Sequence, residues 1–218
     1  SGGYTGSKSN VIDYITIASA GNATDFGDLL AATNGQGDQG VSDNIRGVFA
    51  GGFAPSIQNV IQSISFTTSG TATDFGDLTA AKASGTGASN CGGGLVPGES
   101  QLPSATYMPG SGRGFTNAGT TTGGAGSSIN TIEMIFVPTL GKALDFGDLT
   151  VARQLPGSTN SITRSCVAGG ETPSAQTNTI DSYEMQSLGN GSDFGDLTVT
   201  RRSFQNGGTN GTRGTFNG

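Results

Sequence analysis

The pentapeptide Asp-Phe-Gly-Asp-Leu stands at Asp25–Leu29 and returns unchanged at Asp74–Leu78, Asp145–Leu149 and Asp193–Leu197. Four identical copies in 218 residues make the chain a tandem array, with each copy marking one structural unit. Successive copies start 49, 71 and 48 residues apart, so the middle interval is a unit of similar size carrying an insertion. Units of about 40 to 50 residues holding several strands have the size of propeller blades.

Ahead of each copy runs an alternating apolar segment opened by asparagine: Asn10–Ile17, Asn59–Phe66, Asn130–Val137 and Asn178–Met185. Branched and aromatic residues bounded by turn formers predict a strand in each. A glycine turn such as Ala20-Gly21-Asn22 follows, and the pentapeptide reads as a second strand bent at its glycine, so each pair forms a hairpin. Before each hairpin an arginine leads into a small-residue strand: Arg46–Gly52, Arg113–Gly119, Arg164–Gly170 and, at the chain end, Arg213–Gly218. Paired glycines there suit a crowded inner strand. After the pentapeptide come Leu78–Lys82, Leu149–Arg153 and Leu197–Arg201, each ending in a base; Leu29–Thr33 lacks it.

Composition agrees with an all-β array. The chain has 39 glycines, 33% hydrophobic and only 12% charged residues, with 10 Lys and Arg against 16 Asp and Glu. Such a composition also occurs in disordered chains, but the regular apolar clusters argue against disorder. The acidic balance and the lack of a basic run argue against nucleic acid or an anionic membrane as partner. No apolar stretch approaches a membrane span. Low charge and abundant Thr, Ser and Asn suit a virion or extracellular location. Cys91 and Cys166 fall in different units, and their spacing alone leaves a disulfide open.

The order of these features resembles the kelch repeat. That family has a Gly-Gly strand, a strand with a polar start, a turn, a strand with a large aromatic and a Leu-x-x-x-Arg end. Here these are Gly169-Gly170, Asn178–Met185, Phe194 and Leu197–Arg201, with phenylalanine where kelch repeats carry tryptophan. The wording of residues 21–29, 190–198 and 212–214 is similar to kelch-like repeats in structural proteins of marine bacteriophages. The resemblance implies a single all-β domain, a kelch-like β-propeller of four blades with units at 10–52, 59–119, 130–170 and 178–218. An insertion occupies 84–109, read as a loop able to hide a degenerate strand. The last blade would borrow its outer hairpin from residues 10–29, a splice of N- and C-terminal strands that closes the ring.

The repeat residues admit two chemistries. Asp25, Asp28, Asp74, Asp77, Asp145, Asp148, Asp193 and Asp196 hold half the acidic residues. They could gather a hard cation. The favoured reading is structural: the first aspartate closes a turn, Gly27, Gly76, Gly147 or Gly195 takes the bend, and the second aspartate caps it or pairs with a repeat arginine. Phe26, Phe75, Phe146 and Phe194 are expected in the core between blades, or stacked on a sugar where exposed. Arg46, Arg113, Arg164 and Arg213 are either a charged ring or, the favoured reading, partners of the aspartates. With no histidine in the chain, histidine-based triads and zinc sites are unavailable. No catalytic, metal or cofactor residue is assigned.

The expected function is non-enzymatic: a virion-surface or tail-associated protein that decorates the particle or attaches to host glycan. A secreted sugar-binding propeller is the alternative, and a glycan-cleaving enzyme a more remote one. Expected partners are other virion proteins and host-surface glycan, with self-association a further expectation. The least repeat-like parts, the insertion with Tyr107 and Met108 and the loop with Asp38 and Asp43, are the candidate recognition loops.

Overall fold

The computed structural model describes residues 1–33, 39–43, 45–90, 112–202 and 207–217. It is all-β, as expected: fifteen strands and one short 3-10 turn at Ala125–Ser127 among the described residues. The strands fall into four antiparallel sheets, each a meander taken in chain order. The first holds β1 (Gly3–Tyr4), β2 (Lys8–Tyr14) and β3 (Thr24–Thr33). The second holds β4 (Gln39–Ser42), β5 (Arg46–Ala50), β6 (Val60–Ser65) and β7 (Thr73–Asp77). The third holds β8 (Thr86–Ser89), β9 (Arg113–Thr120), β10 (Ser128–Phe136) and β11 (Leu144–Asp148). The fourth holds β12 (Gly157–Asn160), β13 (Arg164–Ala168), β14 (Thr179–Glu184) and β15 (Ser192–Asp196).

The pentapeptide occupies the last strand of each sheet, and its register explains its composition. Gly76 faces Ile61 while Asp74 faces the next residue, Gln62, so Phe75 is the extra residue of a β-bulge. The same shift recurs in the other three sheets, at Phe26, Phe146 and Phe194. A bulge bends its strand and re-aims one side chain. Phe75 and Phe146 thereby turn into the space between sheets and are buried. The glycines hold φ of 145°, 151°, 155° and 139° at Gly27, Gly76, Gly147 and Gly195, a region L side chains avoid.

Two expectations are corrected. The insertion at 84–109 is not one loop: its start is β8, the first strand of the third sheet. Likewise the loop through Asp38 and Asp43 contains β4, whose Gln39 and Val41 are buried. These strands, with β12, form an innermost layer where neighbouring sheets come close. Ser158 Oγ donates to Gly87 O at 2.6 Å, and Ser89 Oγ donates to Ser42 O at 2.7 Å. A methyl on Gly87 would overlap Gly40 O. Small residues make up β8 and β12 at this close approach, so those strands lack the branched, alternating pattern that marks a strand in sequence.

Candidate functional site: the seams between sheets

The described residues concentrate their buried polar chemistry where one sheet meets the next. Counting each unit from its opening asparagine aligns Asp13, Gln62, Glu133 and Asp181 at one position, and Thr33, Lys82, Arg153 and Arg201 at another. The base of one unit inserts into the following sheet. Lys82 Nζ meets Glu133 Oε2 at 2.5 Å, and Arg153 meets Asp181 at 2.8 Å, all four side chains essentially out of solvent. At these two seams the threonine after the pentapeptide leucine completes the acid's coordination. Thr79 N donates to Glu133 at 2.6 Å and its hydroxyl donates to the same oxygen. Thr150 N and Oγ1 donate to Asp181 at 3.2 and 2.6 Å. Arg153 also donates to Thr179 O and Val167 O, both at 3.1 Å. Burial lowers the pKa of the Lys82 ammonium, opposed by Glu133; burial likewise lowers that of Arg153, opposed by Asp181.

Where the base is missing, the acid is missing too. Thr33 precedes Gln62, and Leu30 N donates to Gln62 Oε1 at 2.8 Å. The seam keeps its backbone hydrogen bond to the strand-centre side chain and drops both charges together.

Backbone bonds repeat at every described seam. Gly70, Gly141 and Gly189 N–H donate to the carbonyls of Phe26, Phe75 and Phe146 at 2.8, 3.0 and 3.1 Å. Ala72, Ala143 and Gly191 N–H donate to those of Asp28, Asp77 and Asp148. Apolar clusters fill the seams between the second and third sheets and between the third and fourth. In the latter, Phe115, Phe146 and Tyr183 meet with ring centroids 5.0 to 5.8 Å apart, and Tyr183 Oη donates to Asn117 Oδ1 at 2.8 Å. Burial pushes the Tyr183 phenol well above its ordinary range. Tyr183→Phe leaves the buried Asn117 without this donor and is expected to cost about 1–3 kcal/mol in urea unfolding.

The predicted site residues are placed as follows. Asp25, Asp74 and Asp193 each accept the N–H of their own Gly27, Gly76 or Gly195, at 3.0, 3.2 and 3.0 Å. The pairing of repeat arginines with these aspartates is corrected. Arg46 Nη1 donates to Val137 O at 2.9 Å and Arg113 Nη1 to Met185 O at 2.8 Å, each a backbone carbonyl of the following sheet. Arg164 pairs with Glu184 across its own sheet at 2.8 Å. Arg213 is exposed, its N–H donating to Asn210. The reason is distance: Arg46, Arg113 and Arg164 open the second strand of a sheet and the aspartates lie on the fourth, about 10 Å away at ordinary strand spacing. Asp43 closes the turn from β4 to β5, accepting from Ile45 N at 2.8 Å and Arg46 N at 2.6 Å. Asp38, Tyr107, Met108 and Cys91 lie outside the described residues. Cys166 is a half-buried free thiol. Among the described residues no group of three or more His, Cys, Asp or Glu is placed to hold a metal ion.

No protein-family model matches the chain, and no curated protein matches it. The fold and seams define the class: a tandem-repeat all-β protein whose four sheets dock in series through one recurring interface.

Proposed function

We propose that this chain is a non-enzymatic structural protein of a virion surface or tail, used to decorate the particle or to attach it to host glycan. The observation that carries the reading is where the charge goes. The two fully buried ion pairs among the described residues lie inside the seams, while only 12% of the chain is charged and other charges, such as Asp25, Asp74 and Asp193, lie scattered at exposed positions among Thr, Ser, Gly and Asn. A rigid serial scaffold with a weakly charged surface suits display and adhesion, and the phage-like wording of its repeats supports a particle.

The finer fold is part of the same proposal: a kelch-like propeller of four blades whose first blade is finished by a splice with the C-terminal strand. The first sheet has three strands where the others have four. Arg213–Asn217 repeats the sequence positions of β5, the strand the first sheet lacks beside residues 12–16.

A secreted lectin is the second reading. One observation favours it: an open groove of about 350 Å³ sets Phe194 beside Asn160 and Arg164, an aromatic face with polar neighbours. Phe75 and Phe146 are buried, so this would be one pocket and not four equivalent ones. Quantitative mass spectrometry and imaging of purified particles separate the two. A fixed copy number per virion is the expected result. A free protein absent from particles overturns the virion reading, and a glycan array then tests the lectin.

A further inference from the structure

Each end of the array is half a seam. Aligned by unit, Ile15, Ile64, Ile135 and Tyr183 share one position, and Ile17, Phe66, Val137 and Met185 another. Ile64, Ile135, Val137, Tyr183 and Met185 are buried beside the preceding sheet, and Phe66 is 49% exposed. In the first sheet, which has no preceding sheet, Ile15 and Ile17 are 62% and 87% exposed. At the opposite end Phe194 is 55% exposed, while its equivalents Phe75 and Phe146 are buried. A Cβ on Gly27, Gly76 or Gly147 would run into the next sheet's glycine turn; one on Gly195 would meet nothing within 4 Å.

The first sheet also lacks an inner strand. Beside β2 lies a groove of about 540 Å³ lined by Ile12, Tyr14, Ile15, Phe49, Ile64 and Phe66. In the second sheet the matching space is taken by β5, with Val48 opposite Ser63. The same register puts Thr215 opposite Tyr14. Yet the C-terminal segment 207–217 lies against the fourth sheet: Gly207 N donates to Ser158 O at 3.1 Å, and Thr209 bridges Gly214. Among the described residues no backbone hydrogen bond joins it to the first sheet.

We propose that copies of this chain join head to tail. The segment 207–217 of one copy fills the groove of the next and adds the missing strand along residues 12–16. Phe194 and Arg164 of the first copy then meet Ile15 and Ile17 of the second, as Phe75 and Arg46 meet Ile135 and Val137 within one chain. The charge pattern fits this junction: Arg201 stands where Lys82 and Arg153 stand, and Asp13 where Glu133 and Asp181 stand. The junction is therefore a base–acid seam like the two interior ones. The occupant is a second copy because the two faces are complementary position by position: Phe194, Arg164 and Arg201 stand where Phe75, Arg46 and Lys82 face the third sheet, and Ile15, Ile17 and Asp13 stand where Ile135, Val137 and Glu133 receive them. The interface is heterologous, so it builds a ring or a filament according to its rotation. This inference rests on the splice proposed above and, by placing it between two chains, stands in place of closure of the four blades within one chain.

The test uses single-cysteine chains in a Cys91→Ser/Cys166→Ser background. Residues directly opposed on antiparallel strands have Cα atoms about 4.5–5.5 Å apart, within disulfide reach. Tyr14→Cys mixed with Thr215→Cys is expected to give a covalent dimer on mild oxidation, absent from either variant alone. Light scattering of the unmodified chain is expected to show at least a doubling of mass as concentration rises. Ile17→Asp, on a side chain exposed in the single chain, is expected to abolish that rise and leave the circular dichroism unchanged. If the double variant Tyr14→Cys/Thr215→Cys cross-links only within monomers and the mixture does not, the splice stands and the two-chain inference is overturned. If neither cross-links and the mass stays monomeric, both fall.

Discussion

Glu133→Ala is expected to destabilise the chain by about 3–5 kcal/mol, because it strands the Lys82 ammonium in a seam from which water is excluded. Lys82 is 1% exposed, and its remaining described acceptor is Thr116 O at 3.4 Å, a poor substitute for a carboxylate. Against a total stability of about 5–15 kcal/mol, such a loss is a large fraction. It should lower Tm by about 10 °C at this chain length. The pair itself is worth much less than its rupture, since its attraction is offset by desolvation of both charges. The chain contains its own control. At the preceding seam Thr33 and Gln62 occupy the same two positions without charge. Lys82→Thr/Glu133→Gln should therefore recover most of the stability lost in Glu133→Ala. Urea unfolding of the single and double variants checks this. If the double variant is as unstable as Glu133→Ala, the damage is lost packing and not a stranded charge.

Gly147→Ala is expected to be strongly damaging for an exchange of a single hydrogen for a methyl. Two costs add. Gly147 has φ 155°, and holding alanine there costs about 1–3 kcal/mol. The methyl would also overlap Gly189 O, forcing apart a seam held by the Gly189 N–H to Phe146 O bond. Overpacking of that kind adds about 1–3 kcal/mol. Gly195→Ala separates the two. Its φ is 139°, so the backbone cost remains, but nothing lies within 4 Å of the added methyl. In dilute monomer Gly147→Ala should lose about 1–3 kcal/mol more than Gly195→Ala. Equal losses would mean that the close approach between sheets is not tight in solution.

The repeat was legible because its residues do local work that leaves a fixed wording. Each pentapeptide has a glycine at positive φ and a phenylalanine at a bulge, and in three of them the first aspartate accepts the glycine N–H to close a turn. None of these tolerates much variation, so four copies match letter for letter. The innermost strands were not legible. Thr86-Gly-Ala-Ser89 and Gly157-Ser-Thr-Asn160 are strands because neighbouring backbones crowd them into one, a tertiary cause with no local signature. The buried ion pairs were missed for a related reason. Arg153 and Asp181 are 28 residues apart and belong to different units, so reading within a unit does not join them. The signal was present between units: Thr33, the one terminal position without a base, is followed by Gln62, the one strand-centre position without an acid. The arginines failed as partners of the aspartates because sequence order hides that they lie two strands apart.

The account's central claim is that one seam recurs along the array and stands open at its two ends. Hydrogen exchange at four equivalent amides tests it most directly. Phe66 N donates to Ile45 O at 2.7 Å, Val137 N to Gly112 O at 2.8 Å and Met185 N to Thr163 O at 2.7 Å. The fourth member is Ile17, whose acceptor by the same register is the carbonyl of Thr212 supplied across the splice. In the monomeric fraction the Ile17 amide is predicted to exchange rapidly while Val137 and Met185 stay protected. Protection of Ile17 in the monomer equal to theirs would contradict the open ends and mean that the chain has joined them itself.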